Sequence, residues 1–529
     1  MDMDIMAVPR ARGSFRHAAL LLVILQAATP LQAADWKITP SISASEMYSD
    51  NIFLGSPGSQ LSDFVTTIIP GISVTGTGDR LKANLNYSLQ NINYLKHNSL
   101  DYITQQLNAT GNATLIEQTL FLDAGASISQ QPTTLAGPIG VGNSSPTGNL
   151  ANITTTSLSP YLIHRFNTFA TGLARYTHQT MNFSQAGPSN NAGYDYNTYG
   201  SGNLFNSTSD TELVNLNSGA DFNNLLWGLN LSNSRINYTG MNSMTLAQYS
   251  ADLGYLITPR FKTTVTGGYE DDSYVYFGQN PQSTFWNIGF DWSPSVRTKF
   301  EVAEGERFFG RTHTVKFTHY TRLTSWNASY MQDVTTSILQ QTVPPAVTLD
   351  QMLMAQIPDP ATRQQVVQAM LASLGSQSAL FAQNILTNQI YLVKSLNTSV
   401  AVTLPKDTFL LTIFNTKTTP LQQGINSFLG INSSFNYMNT DQYGGTLSWN
   451  KQLNPLLSAN ANFNMTFITF PGQILEEKMS SFIVGLNRRL SPKLNGNLLY
   501  RHQIFDSTPS SMGYSFSENA VIASLMYLF

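Results

Sequence analysis

Apolar residues alternate one for one with Asn, Ser, Thr and Gln through long stretches of this chain, and the polar side is almost uncharged. Leu81, Ala83, Leu85, Tyr87 and Leu89 interleave with Lys82, Asn84, Asn86, Ser88 and Gln90. Leu107, Ala109, Gly111, Ala113 and Leu115 interleave with Gln106, Asn108, Thr110, Asn112 and Thr114. Leu457, Ala459, Ala461, Phe463 and Met465 oppose Ser458, Asn460, Asn462, Asn464 and Thr466, and Trp227, Leu229 and Leu231 oppose Gly228, Asn230 and Ser232. A strand sends alternate side chains to opposite faces. Each segment is therefore a strand with one apolar and one neutral polar face. A soluble sandwich alternates too, but its outer face usually carries Lys and Glu. Lipid on one side and water on the other, in segments of about ten residues, is the pattern of a transmembrane barrel.

Composition points the same way. Charged residues make up 11% of the chain, against about 25% in an average soluble domain. Net charge is -3, so no nucleic-acid partner is implied. The chain has no cysteine, which excludes disulfides, thiolate metal sites and a cysteine nucleophile. Arg10, Arg12 and Arg16 precede an apolar run over 18–28, and Leu31-Gln32-Ala33 offers a cleavage site. That is the layout of a secretory signal peptide. The run is shorter than the roughly 20 residues a spanning helix needs. Residues 1–33 read as signal peptide and 34–529 as one barrel domain, with 337–388 inserted as a helical loop. No later run is long and apolar enough for a helix, and a membrane chain without spanning helices must close its strands into a barrel.

Connections fall into two lengths. Short ones hold Gly78-Asp79, Thr258-Pro259-Arg260, Ser293-Pro294-Ser295, Leu453-Asn454-Pro455 and Ser491-Pro492-Lys493. Long ones span 55–62, 131–149, 183–210, 337–388 and 418–437. The two classes alternate, as an up-and-down antiparallel meander requires. Strands are expected to begin near Trp36, Ser62, Arg80, Asp101, Thr119, Ala151, Thr168, Thr211, Leu226, Leu246 and Phe261. The remainder begin near Ser283, Thr298, Thr312, Thr324, Gln389, Thr408, Met438, Leu456, Lys478, Leu494 and Ser515. The total is about 22, within a range of roughly 18–24. Trp36, Trp227, Trp292, Trp326 and Trp449 fall near short turns, as an interfacial girdle would place them. In the last segment Val521, Leu525, Tyr527 and Phe529 share a face, and an aromatic closing strand of this kind resembles the assembly signal of bacterial outer-membrane barrels. Phe529 is expected at the periplasmic rim, with the last strand pairing to the first near Trp36.

The 337–388 insertion carries a helix signal, with Asp359 as N-cap, Pro360 at the first helical position and Gly375 at the far end. Val366, Val367, Met370, Leu371 and Leu374 fall on one face. That face must be buried in the lumen, over the mouth or on a neighbouring loop, and a static cap is the simplest outcome. Five charges lie opposite the apolar stripe on four consecutive strands: Lys262, Asp291, Lys299, Glu301 and Lys316. Charge facing lipid would cost about 2–4 kcal/mol for Lys at midplane, so they should line the lumen. They form either a selectivity patch or a salt-bridge ladder that stiffens the wall. Glu270-Asp271-Asp272 and Asp50 are expected near the external rim as solvated carboxylates, with a weak divalent-cation site as the alternative. No catalytic constellation, cofactor motif or metal-ligand set is present. His313 and His319 are six residues apart, about 20 Å along a strand and too far to share a metal.

Several stretches together resemble the PEP-CTERM system-associated outer-membrane β-barrel family. Glu306-Arg307-Phe308-Phe309-Gly310-Arg311, His319-Tyr320-Thr321-Arg322, Ser325-Trp326-Asn327-Ala328-Ser329-Tyr330 and Asp333-Val334-Thr335-Thr336 look like its central hairpins. Tyr48-Ser49-Asp50-Asn51-Ile52-Phe53-Leu54, Ser62-Asp63-Phe64-Val65 and Pro70-Gly71-Ile72 match its opening strands, and Ile357-Pro358-Asp359-Pro360-Ala361 its helical loop. Tyr320 departs from it, since a basic residue is expected beside the histidine. The resemblance spans nearly the whole chain after residue 33 and carries no catalytic residues over. It implies outer-membrane lipid as surroundings, the barrel assembly machinery as a partner, and a role in exopolysaccharide secretion or surface display beside periplasmic export components. A conduit with a polar, weakly charged lumen, a structural or assembly barrel without transport, and a general diffusion porin are the three functions this sequence allows.

Overall fold

Alternation is realised strand by strand in the computed structural model, which describes residues 34–135, 137–185, 204–240, 243–273, 281–340, 386, 389–421, 439–508 and 515–529. The wall begins with β1 (Ala34–Ser49), β2 (Asp63–Gly78), β3 (Leu81–Tyr94), β4 (Tyr102–Ile116), β5 (Leu120–Pro132), β6 (Leu150–Phe166) and β7 (Ala170–Gln185). It continues with β8 (Ser207–Ser218), β9 (Leu225–Tyr238), β10 (Met244–Thr258), β11 (Phe261–Asp271), β12 (Gln282–Ser295), β13 (Thr298–Arg307) and β14 (Gly310–Tyr320). It ends with β15 (Thr324–Thr335), β16 (Tyr391–Thr403), β17 (Asp407–Pro420), β18 (Thr440–Asn454), β19 (Leu457–Thr469), β20 (Glu476–Arg489), β21 (Leu494–Thr508) and β22 (Phe516–Leu528). A short helix α1 (Ser337–Gln340) follows β15. Each strand pairs antiparallel with the next, and β22 returns to β1 over Ser41↔Leu528 to Ser49↔Ala520. The 22 strands form one closed sheet.

The outer face is apolar because only there can apolar side chains meet lipid. Ile38, Ile42, Ile68 and Ile72 on β1 and β2 point outward and exposed, as do Leu229, Leu231, Ile288, Phe290, Phe463 and Phe482 farther round. Prolines leave a mark in the ladders. The β2–β3 register skips from Ile68↔Asn91 to Gly71↔Ser88 across Pro70. The β6–β7 register skips from Leu158↔His178 to Tyr161↔Arg175 across Pro160. A proline has no N–H to give its neighbour, so each ladder loses a rung there.

Every even-numbered strand through β20 reaches the next through a short connection at one end, and the long loops gather at the other. Phe308-Phe309 is an exception at the loop end, where two residues join β13 to β14. Trp36, Trp292 and Trp326 lie exposed near the short turns, while Trp286 stands toward the loops. An even strand number, an outward apolar band and this asymmetry of connections are the architecture of a bacterial outer-membrane barrel. The protein resides in that membrane, with its short turns facing the periplasm. Two details differ from the sequence reading. The closing ladder stops at Ser41, so Trp36 lies beyond it on β1 rather than opposite β22. β8 starts at Ser207, four residues before the expected Thr211. Residues 1–33 and the helix face Val366, Val367, Met370, Leu371 and Leu374 lie outside the described residues.

Candidate functional site: the lumen and its external mouth

The inner wall carries the five predicted charges in one patch. Lys262 sits opposite Asp291, Asp291 opposite Glu301, and Glu301 opposite Lys316, a continuous row over β11 to β14. Val265, Ile288, Phe290 and Phe300 on the same strands are exposed outward, so period-two alternation turns the charges inward. Lys262 Nζ is 2.6 Å from Asp291 Oδ2, and Lys299 pairs with Glu301. The row reads Lys, Asp, Glu, Lys, with each carboxylate next to a cation. All five are near strand ends at the short-turn side. These partners are about a third or more exposed in several cases, so water and salt screen them. Chemically the patch is a nearly neutral band on a wall of amides and hydroxyls.

The external mouth is narrowed from one side by the β5–β6 connection, residues 133–149. The sequence reading took it for an ordinary external loop. Instead it folds inside the barrel. Leu135 and Ile139 are buried with Leu54, Phe470, Phe505 and Phe516. Its backbone is held by wall side chains. Val141 donates its N–H to Gln503 Oε1 at 3.0 Å, and its carbonyl accepts from Arg501 Nη1. Tyr94 Oη donates to the Ser144 carbonyl at 3.0 Å, and Tyr102 Oη to that of Asn143. Asn143 Nδ2 reaches Gln90 and Gln130.

Arg501 is fixed in turn by Glu518. Arg501 Nε and Nη2 donate to the two carboxylate oxygens at 3.0 and 2.8 Å. Ser49 Oγ and Gln503 Nε2 also donate to Glu518. Arg501 is 4% and Glu518 0% exposed. This bidentate geometry gives the pair both charge and direction. Because Ser49 is on β1 and Glu518 on β22, one network ties the closing seam to the inward loop.

A second intrusion comes from the ends of the long insertion. Only its two ends are described. α1 follows β15 yet reaches the inner wall of β7, where Gln179 Nε2 donates to the Ile338 carbonyl at 2.9 Å. Ile338, Leu386 and Ile390 are buried with Ile153, Met181, Ile236 and Met244. These wall residues lie on β6, β7, β9 and β10, and Val334 of β15 and Leu392 of β16 belong to the same buried cluster. The start of this insertion was not legible as a helix because Ser337–Gln340 is a single turn.

The rim carboxylates are partnered rather than solvated. Glu270 is 1% exposed and takes both Nε and Nη2 of Arg307, whose Nη1 reaches Asp333 at 2.9 Å. Asp272 accepts the Ala247 N–H, Asp271 accepts from Gln282, and Asp50 accepts from Asn519. No group of three metal-ligating side chains occurs among the described residues. His313 and His319 sit on β14 with outward parity, and Thr298 shares a hydrogen bond with His319. On β22 Val521, Leu525, Tyr527 and Phe529 are exposed outward, in a stripe that runs from Val521 opposite Tyr48 to Phe529 at the short-turn end, where the Tyr527 and Phe529 rings are 5.1 Å apart.

No family model and no curated protein matches the chain. Among solved structures it is similar to the FrpB iron transporter of Neisseria meningitidis, with 11% identity over 94% of this chain and 83% of that one, at a TM-score of 0.49. It is also similar to OccK2 (OpdF) of Pseudomonas aeruginosa in complex with glucuronate, at 10% identity, 94% and 98% coverage and a TM-score of 0.36. The outer membrane protein opdK of Pseudomonas aeruginosa gives 10%, 93%, 99% and 0.35.

Proposed function

We propose that this barrel is a conduit for exopolysaccharide across the outer membrane, narrowed at its external mouth. The observation that carries this reading is the lumen wall. Its polar groups are amides and hydroxyls in cross-strand chains, such as Ser127 with Thr155 and Ser159 with Thr177. Its charges are largely neutralised in pairs, as with Lys262 and Asp291. A sugar chain passing such a wall exchanges many weak hydrogen bonds and meets no deep trap. The family resemblance of the central hairpins supports the same cargo and adds periplasmic export components as partners.

Deleting the gene and assaying surface polysaccharide tests this reading. Loss of surface polymer, with the polymer retained in the periplasm, is the expected result. Unchanged surface polymer would overturn it. The inward 133–149 loop and α1 favour a second reading, a closed barrel that organises partners and conducts nothing. Ion conductance separates the two.

A further inference from the structure

We propose that Phe121, Tyr161 and Arg175 form a docking platform for neutral sugar rings on the inner wall at the periplasmic mouth. Phe121 on β5 sits opposite Tyr161 on β6, and Tyr161 opposite Arg175 on β7. Leu158, Leu162 and Tyr176 on the same strands are exposed outward. Alternation therefore turns Tyr161 and Arg175 into the lumen, and their direct pairing brings Phe121 with them. All three lie near the short turns, where a polymer from the periplasm enters.

Their geometry is that of a fixed aromatic surface. The Phe121 and Tyr161 rings are 5.0 Å apart at 17°, a stacked pair. The Arg175 guanidinium lies 4.1 Å over the centre of the Tyr161 ring. Asp123 holds Arg175 at 3.0 Å and is itself held by Asn112 Nδ2 at 2.8 Å. Ser159 Oγ also accepts from Arg175. The Tyr161 hydroxyl makes no protein hydrogen bond among the described residues. Phe121 and Arg175 thus cover the two faces of Tyr161, which leaves the far face of Phe121, the phenol edge and a carboxylate–guanidinium pair side by side on the lumen wall.

A hexose matches those features. Its C–H face is apolar and packs on the positive-edged, negative-faced aromatic ring. Its rim hydroxyls donate to and accept from a phenol, a carboxylate and a guanidinium. Asp123 neutralises Arg175, so the platform offers no net charge to attract a polyanion. A neutral or weakly charged glycan is therefore the ligand class, and the platform serves as an entry site where a chain end is captured before it moves along the wall. This rests on the conduit reading for its place in transport, but the binding itself does not need flow.

The test is saturation-transfer NMR on the full barrel in a sugar-free detergent, with maltohexaose as probe. Transfer from aromatic protons to sugar C–H protons is expected. Phe121→Ala with Tyr161→Ala should weaken binding at least about tenfold, while Tyr161→Phe, which keeps the ring, should stay within about threefold. Phe121→Leu keeps apolar volume and loses the ring face, so it should also weaken binding if the double variant does not assemble. No transfer in the native barrel, or equal transfer in the ring-deleted variants, would overturn the platform. Conductance of the same preparation keeps the two claims apart. A conducting barrel without transfer sinks the platform alone, and transfer in a barrel that passes no ions upholds the platform and sinks the conduit.

Discussion

Arg501 pins the inward 133–149 loop to the closing seam. Its guanidinium neutralises Glu518 and holds the Val141 carbonyl, in a place where neither charge meets water. Replacing it with Ala leaves Glu518 buried and unpaired, a change that costs about 3–5 kcal/mol. The Arg501→Ala barrel is expected to melt earlier and to show a protease-accessible 133–149 loop, read by heat-modified migration and limited proteolysis. The charge row makes a different prediction at the same scale. Lys262→Met with Lys316→Met leaves Asp291 beside Glu301 with only Lys299 near. The reversal potential in a KCl gradient should move toward cation preference, more at low salt than at high salt, because exposed charges are screened. No shift would mean that this row does not border the ion path.

Among elements, the strands were legible in the sequence and the inward loop was not. A membrane wall imposes period two on every strand, so each expected strand start lies within four residues of the observed one, as with Thr211 and Ser207. Loop 133–149 carries no such signature. It is rich in Gly, Pro, Ser and Thr, as any external loop is, and its anchors lie far away in sequence: Val141 meets Gln503 at a separation of 362. The signal that existed was on the partner strands. Arg501 and Glu518 put charge, and Phe505 and Phe516 put apolar bulk, on lumen positions that elsewhere hold Asn and Ser. The charge row, by contrast, was readable because its members recur at matched distances from short turns. Replacing 134–148 with a two-residue turn should raise single-channel conductance, while strand content by circular dichroism stays unchanged. Removing Tyr527–Phe529 should instead reduce folded barrel in the outer membrane to near zero. Those residues complete the last outward stripe and, through the Phe529 N–H to the Pro40 carbonyl, the end of the closing seam. Normal heat-modifiable barrel in that variant would refute their role.

For the whole molecule, closure and narrowing are separate properties. Closure satisfies every wall strand on both sides, which lipid requires. It follows from the alternation and is indifferent to cargo. Narrowing comes from two connections folded against opposite parts of the inner wall, one pinned by Arg501 and one by buried Ile338, Leu386 and Ile390. A conduit for a flexible polymer needs both: a wall that holds no charge trap, and a mouth that does not leak small solutes when idle. The conduit reading requires a continuous aqueous path behind this mouth. Single-channel recording in planar bilayers tests it most directly, comparing the full chain with the variant shortened over 134–148. Small discrete steps in the full chain and larger ones in the variant are predicted. A barrel that stays silent in both, while correctly folded, would contradict the account.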